Sequence, residues 1–307
     1  MKILDPHLHL FDLQLGQYDW LKAENAPFWP DKSAIVHNFS EQDLVVSKNH
    51  EVAGFVHVEA GFDNDKPINE IKWLESSVTR PFKSIAFVDL TLPTNQFERA
   101  CDDLRQCNSV TAVRYILDDQ AIEILSLAHV QSNFAYLAKH KLSFDLQMPL
   151  ADLKAVTLLT NLLALTPTLK VIINHAGWPP AEKSNGELMQ SDWYTGLKRL
   201  SALTQCAVKC SGWEMIDRQY DALPEQLTSS SFTKIDSWQS NVLSLCLKTF
   251  GHKRVMLASN FPLCLFHSSY QTYWDNLIDT LDKLGLAEQK KQALVFNNAC
   301  SWYNLTI

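Results

Sequence analysis

Met1-Lys2-Ile3-Leu4-Asp5-Pro6-His7-Leu8-His9-Leu10-Phe11-Asp12 opens the chain as a buried strand carrying two imidazoles two positions apart. Side chains at that spacing on a strand point to one face, so His7 and His9 are expected together, with Asp5 in the same row. The first strand of a dinucleotide-binding sheet would run into a Gly-x-Gly-x-x-Gly turn. Here it runs into His-Leu-His-Leu-Phe-Asp, and no glycine-rich phosphate loop occurs elsewhere. Imidazole is the commonest protein ligand for zinc-like metals and titrates near neutral pH, so a shared face suggests a built site. The blander alternative is one packed and one solvated histidine.

Working outward, β-rich runs recur at 3–11, 53–61, 84–91, 110–117, 142–148, 170–177, 206–212 and 254–262. Amphipathic stretches at 68–78, 96–106, 134–141, 153–165, 192–203 and 237–250 lie between them, and 271–284 and 288–303 follow the last. Strands alternating with helices argue for a parallel sheet covered by helices. Eight such units in 307 residues fit a (β/α)8 TIM barrel with an extra C-terminal helix, in one domain spanning 1–307.

Composition bounds the partners. A net charge of −7 without a Lys/Arg cluster leaves no electrostatic footprint for nucleic acid or an anionic membrane. A small molecule is the expected partner. Seven scattered cysteines without Cys-x-x-Cys read as reduced packing residues. With no signal-like segment ahead of the first strand, the reading is cytoplasmic.

Barrel enzymes carry their chemistry at the carboxyl ends of strands. Polar residues collect there: Asp5, His7 and His9 on the first run, His57 and Glu59 on the second, Asp89 ending the third, and Arg114 on the fourth. Asp145 and Gln147 follow on the fifth, His175 on the sixth, Lys209 and Ser211 on the seventh, and Asn260 on the eighth. Their neighbours are mostly apolar, such as Val56 and Val58 around His57, which implies one face toward helices and one toward a polar mouth. Ionisable groups inside a barrel are costly unless paired or liganded, so their recurrence points to function. His7, His9 and His175 can hold one divalent metal with an open position for water, or hold a substrate carbonyl directly. Arg114 suits a substrate carboxylate or an ion pair with Asp89 or Asp145. His57 and Glu59 are candidate partners of the histidines. Trp20, Trp29, Trp178 and Trp213 would rim the mouth, where flat aromatic faces suit a ring-shaped substrate.

These motifs resemble the amidohydrolase superfamily, in its amidohydrolase 2 branch. His7-Leu8-His9 resembles the strand-one His-x-His, and Phe55-Val56-His57-Val58-Glu59-Ala60 resembles strand two. Asn174-His175-Ala176-Gly177-Trp178-Pro179 is similar to (Asp/Asn)-His-x-Gly-x-Pro, and Val208-Lys209-Cys210-Ser211-Gly212 to Lys-x-Ser-Gly. Ala258-Ser259-Asn260-Phe261-Pro262 stands where relatives have Gly-Ser-Asp-x-Pro, and Asn297-Asn298-Ala299 resembles the terminal Asn-Ala. The pattern is most similar to sugar-lactone and pyrone-dicarboxylate lactonases. The resemblance implies cyclic-ester hydrolysis in which strand-end histidines polarise the carbonyl and a strand-eight Asp activates water, with a zinc-like metal in some relatives and none in others. Asn260 departs from that Asp, because an amide cannot accept the water proton. His is also missing from strand five, which argues against a binuclear site.

The leading expectation is a hydrolase of a small cyclic ester. His7, His9 and His175 would hold the carbonyl oxygen or one metal, and His175 or Glu59 would activate water. Asn260 would position the substrate by hydrogen bonds. Arg114 and Lys209 would anchor an anionic or polyhydroxylated substrate, lined by His57, Gln147, Trp20 and Trp178. Two further readings are a metal-dependent decarboxylase of an aromatic acid, against which Asn260 counts, and a barrel that binds a small molecule without catalysis.

Overall fold

The computed structural model describes residues 1–181, 183–216 and 229–307, with side chains from 238 onward in the last stretch. Eight parallel strands follow one another in chain order. They are β1 (Lys2–Leu8), β2 (Glu51–Val58), β3 (Phe82–Phe87), β4 (Val110–Ile116), β5 (Ser143–Gln147), β6 (Val171–Ile173), β7 (Cys206–Cys210) and β8 (Val255–Leu257). Past the ends of β8 and β1 the ring is drawn together where the His9 N–H donates to the Phe261 carbonyl (2.7 Å) and the Asn260 N–H to that of His7 (2.9 Å). The architecture is a (β/α)8 barrel, as the alternating pattern predicts.

Helices Ile68–Ser77, Thr94–Leu104, Val130–Lys139, Leu153–Leu165, Asp192–Ser201 and Ser229–Phe250 each precede the next strand, and Tyr270–Lys283 follows β8. β1 leads instead into a long loop that reaches β2 through short 3-10 turns. Lys32, buried in that loop, donates to the carbonyls of Trp20 (2.9 Å), Lys22 (3.0 Å) and Asn25 (2.6 Å). These bonds staple the segment that carries Trp20 against the barrel mouth.

Two buried layers separate by strand parity. Leu4, Val56, Val58, Ile85, Ala112, Ile172, Ala207 and Met256 fill the barrel, joined by Ala299, Tyr303 and Leu305 from the C-terminal segment. Ile3, Phe55, Val113, Phe144, Val208 and Leu257 face the helices. The expected final helix is divided into Glu288–Gln292, a π-turn at Ala293–Asn297, and Asn298–Tyr303, which bring Tyr303 into the barrel base. There the Tyr303 hydroxyl donates to Asp145, 3.0 Å from Oδ1 and 3.1 Å from Oδ2.

Parity corrects two expectations. Val56 and Val58 point inward, so His57 points toward the helices instead of the mouth. In β1 the pairing register shifts between Asp5 and Leu8. Pro6, which has no N–H for the ladder, lies in that interval. The shift separates Asp5 from the histidines. Its carboxylate accepts from Ser259 Oγ (2.5 Å) and Tyr270 OH (3.0 Å) on the helix side. β6 and β8 are also shorter than predicted, because His175 and Asn260 take left-handed backbone at φ 51° and 58° just beyond them.

Candidate active site

A cavity of about 530 Å³ opens at the carboxyl ends of the strands. His9, His175 and Asn260 reach it from below, Glu59, Arg114 and Gln147 from one side, and Trp20, Trp29 and Trp178 from the loops. His7 lies against both other imidazoles, its ring centroid 5.2 Å from that of His9 and 4.6 Å from that of His175. Three histidines from β1 and the end of β6 therefore meet, as their strand positions predict.

Hydrogen bonds define what each ring offers. His9 Nδ1 must donate to the Val58 carbonyl (2.8 Å), so in the neutral ring Nε2 carries a lone pair. His175 Nδ1 shares a bond with Ser211 Oγ (3.1 Å), which leaves Nε2 for the cavity. Neither ring nitrogen of His7 has a partner among the described residues, although the residue is fully buried. Burial holds all three well below the usual imidazole range, and Lys209 adds to this for His7 and His175. At pH 7 they are neutral bases. A lone pair on His9 Nε2 repels a substrate oxyanion, but it binds a cation or accepts from water. That disfavours direct carbonyl polarisation by neutral His9.

The donor chemistry therefore fits one divalent ion on His7, His9 and His175, with Val58 and Ser211 orienting two of the rings. Among the described residues no three such side chains already stand at ligand spacing, so the fit is one of chemistry. Bound there, such an ion would supply Lewis acidity toward a carbonyl oxygen and lower the pKa of water.

Arg114 pairs with neither Asp89 nor Asp145. Its Nε (2.8 Å) and Nη2 (2.7 Å) meet Glu59 Oε1, its Nη2 donates to the Glu59 carbonyl (2.9 Å), and its Nη1 donates to Gln147 Oε1 (3.1 Å). Burial raises the Glu59 carboxyl, with Arg114 opposing the shift. Glu59 thus holds the guanidinium in the wall, and this contact competes with a role in activating water.

Two expected substrate contacts lie elsewhere. Lys209 is completely buried, donating to Asp145 Oδ2 (2.5 Å) and the Pro6 carbonyl (3.3 Å) below the histidines. His57 accepts from the Leu10 N–H at Nδ1 (3.2 Å) and donates from Nε2 to Glu70 (2.9 Å), so both nitrogens are spent within the protein. Asp89 binds Thr91 in the turn after β3. Its side chain does not face this cavity.

Asp118 and Glu214 were not anticipated. Asp118, at φ 32°, lines the cavity beyond the end of β4. Glu214 follows the Lys-x-Ser-Gly motif by two residues, inside a four-residue helix, and bonds to Asn260. The buried Trp213 beside it gives the only local hint, since a carboxyl next to a core indole has little water to face.

Gly212 explains the motif's last residue. It has φ +69°, and a Cβ there would lie 2.3 Å from His175 Nδ1 and 2.7 Å from Cγ. Gly212→Ala is expected to push the imidazole aside and lower kcat/KM about 100-fold, while thermal melts still report a folded barrel. Steady-state assays alongside circular dichroism would check this.

The sequence matches the amidohydrolase family model over residues 4–305. It is 27% identical to the uncharacterized protein y4mH of Sinorhizobium fredii, over 99% of this chain and 98% of that one. It is 25% identical to L-rhamnono-gamma-lactonase of Scheffersomyces stipitis, over 99% of each. Among solved structures, an amidohydrolase of Burkholderia multivorans with bound HEPES superposes at TM-score 0.78 with 18% identity over 100% of both chains. A zinc-bound crystal form of it reaches 0.77 at 17% identity, again over 100% of both chains. A putative 2-pyrone-4,6-dicarboxylic acid hydrolase of Pseudomonas putida reaches 0.67 at 17% identity, covering 98% of this chain and 97% of that one. With histidines of β1 and the β6 end meeting at the barrel mouth, and a family match running almost from end to end, the chain belongs to the amidohydrolase family.

Proposed function

We propose that the protein hydrolyses a small lactone that bears hydroxyl groups instead of charges. The observation that carries this reading is the charge balance of the cavity among the described residues. Its guanidinium, Arg114, is engaged by Glu59, and Asp118 adds a second carboxyl group to the lining. A dicarboxylate substrate would have to displace Glu59 from Arg114. Neutral hydroxyls can bond to Gln147, Asn260 and Asp118, while a sugar ring lies against Trp20 and Trp178.

In the reaction a water oxygen attacks the lactone carbonyl carbon. With its Nε2 lone pair free of any ion, His175 takes one water proton and returns it to the ring oxygen as the acyl–oxygen bond breaks, leaving a hydroxy acid; an ion in the site would then be held by His7 and His9. His175 suits this role because burial keeps it unprotonated at pH 7.

The test is acid release from a panel of aldonolactones, with L-rhamnono-1,4-lactone as one member, beside unsubstituted lactones, pyrone dicarboxylates and aromatic acids. Turnover concentrated on the hydroxylated neutral lactones is the expected result. Preference for the dicarboxylate would overturn the charge argument, and carbon dioxide release from an aromatic acid would identify a decarboxylase instead. Tight binding without turnover would leave a binding barrel.

A further inference from the structure

The wall opposite Arg114 contains a carboxyl group that the reaction above does not use. Glu214 is 1% exposed. Its Oε1 accepts a hydrogen bond from Asn260 Nδ2, while its Oε2 has no partner among the described residues. Asn260 itself lines the cavity, and its backbone is pinned by its N–H to the His7 carbonyl (2.9 Å) and by the Leu263 N–H on its own carbonyl (2.8 Å). A primary amide is planar, with its oxygen and nitrogen on opposite arms. With the nitrogen arm committed to Glu214, the oxygen arm is the one left for the cavity.

We propose that Glu214 is a positioning residue that turns the Asn260 amide so that its carbonyl oxygen, not its NH2, faces the cavity and accepts a hydrogen bond from the attacking water. The assignment rests on the lactone-hydrolysis reading for the identity of that water, but the amide orientation can be read without it. Oriented this way, Asn260 holds one water hydrogen while His175 removes the other, which aims the oxygen lone pair at the substrate carbon. The isolated carboxyl is retained at a cost. Burial raises it to about 8, with Asn260 opposing the shift, so it carries its proton at pH 7 and ionises just above. Its titratable neighbours Cys264 and Tyr273 are pushed well above their ordinary values and stay neutral there. Ionisation removes the only donor Glu214 has, which excludes the reversed amide and strengthens the bond to Nδ2.

Three variants separate this from a packing role, with L-rhamnono-1,4-lactone as the substrate. Glu214→Gln keeps the shape but, like the protonated acid and unlike the carboxylate, can offer Asn260 either an acceptor or a donor, so the orientation that the ionised wild type enforces is lost. At about pH 9, where the wild-type carboxyl is ionised, kcat is expected to be about tenfold lower in the variant with KM within about twofold, and the rise of the wild-type rate through about pH 8 is expected to be lost. Asn260→Asp combined with Glu214→Gln places an acceptor on the cavity side whichever way it turns, and is expected to recover most of that kcat. Asn260→Ala is expected to stay low. Wild-type kcat and pH profile in Glu214→Gln, or no recovery in the double variant, would overturn the proposal. If the wild type turns over no lactone, the hydrolase reading fails, and the side-chain NH2 of Asn260 gives an independent readout by 15N NMR. Its signals, identified by their loss in Asn260→Ala, are expected to be protected from exchange in the wild type and not in Glu214→Gln. Equal exchange in both would refute the assigned orientation.

Discussion

His175→Asn is expected to lower kcat/KM for a hydroxylated lactone about a thousandfold while leaving the thermal midpoint nearly unchanged, because it removes a proton acceptor and little packing. Asparagine tolerates the left-handed backbone that His175 adopts at φ 51°, so the turn after β6 survives the change. Near wild-type turnover in the variant would take His175 out of the mechanism. The pH dependence has a definite sign. His7, His9 and His175 are all held below the ordinary imidazole value of 6.5, so the acid limb of the wild-type rate falls below that pH. Unfolding releases the rings to titrate normally. The unfolded chain therefore binds more protons below about pH 6.5, and stability that is present above that value is lost as pH falls toward the folded pKa values. A pH series of urea titrations on the wild type would show the midpoint declining over that range.

The second large effect lies below the cavity. Lys209 and Asp145 are both fully buried at 2.5 Å, and burial pulls the Lys209 ammonium down to about 8 even with Asp145 opposing the shift. Removing one partner of such a pair strands the other charge in the barrel. Lys209→Met is expected to cost about 3–5 kcal/mol, since among the described residues Asp145 would retain only the Tyr303 hydroxyl. In a chain of 307 residues that corresponds to a thermal midpoint lower by roughly 5–8 °C. Lys209→Met with Asp145→Leu should recover most of the loss, because apolar side chains of similar volume replace a buried ion pair at little net cost. A thermal shift of only a degree or two in the single variant would mean that the pair contributes little to stability. It would also reopen a role for Lys209 as a substrate anchor.

Both predictions concern residues whose presence at the strand ends is plain in the sequence, yet their roles divide differently from the expected ones. Lys209 reads as a substrate anchor because it is a cation at the end of the seventh run. Its long stem instead carries the ammonium sideways to Asp145 on β5, a contact between residues 64 positions apart. Arg114 similarly turns to Glu59 across 55 positions. Each pair skips a strand, from β7 to β5 and from β4 to the end of β2, so it depends on the curvature and stagger of the closed barrel, and no local pattern encodes that.

Periodicity and the order of strand-end motifs determine the fold and the meeting of His7, His9 and His175, because a parallel barrel brings the carboxyl ends of successive strands to one mouth. What only tertiary structure decides is the direction of each polar side chain. Period-two spacing predicts that His57 and Glu59 share a face, but the inward Val56 and Val58 send His57 to Glu70, while Glu59, one residue past the end of β2, turns into the cavity to Arg114. The register shift beside Pro6 does the same to Asp5, which turns to Tyr270 while the two histidines stay inside. Glu214 owes its place beside Asn260 to the adjacency of the β7 and β8 ends, 46 residues apart in the chain and in direct contact in the fold. A carboxyl at the strand-eight corner is therefore present in this protein, and only packing reveals the residue that supplies it.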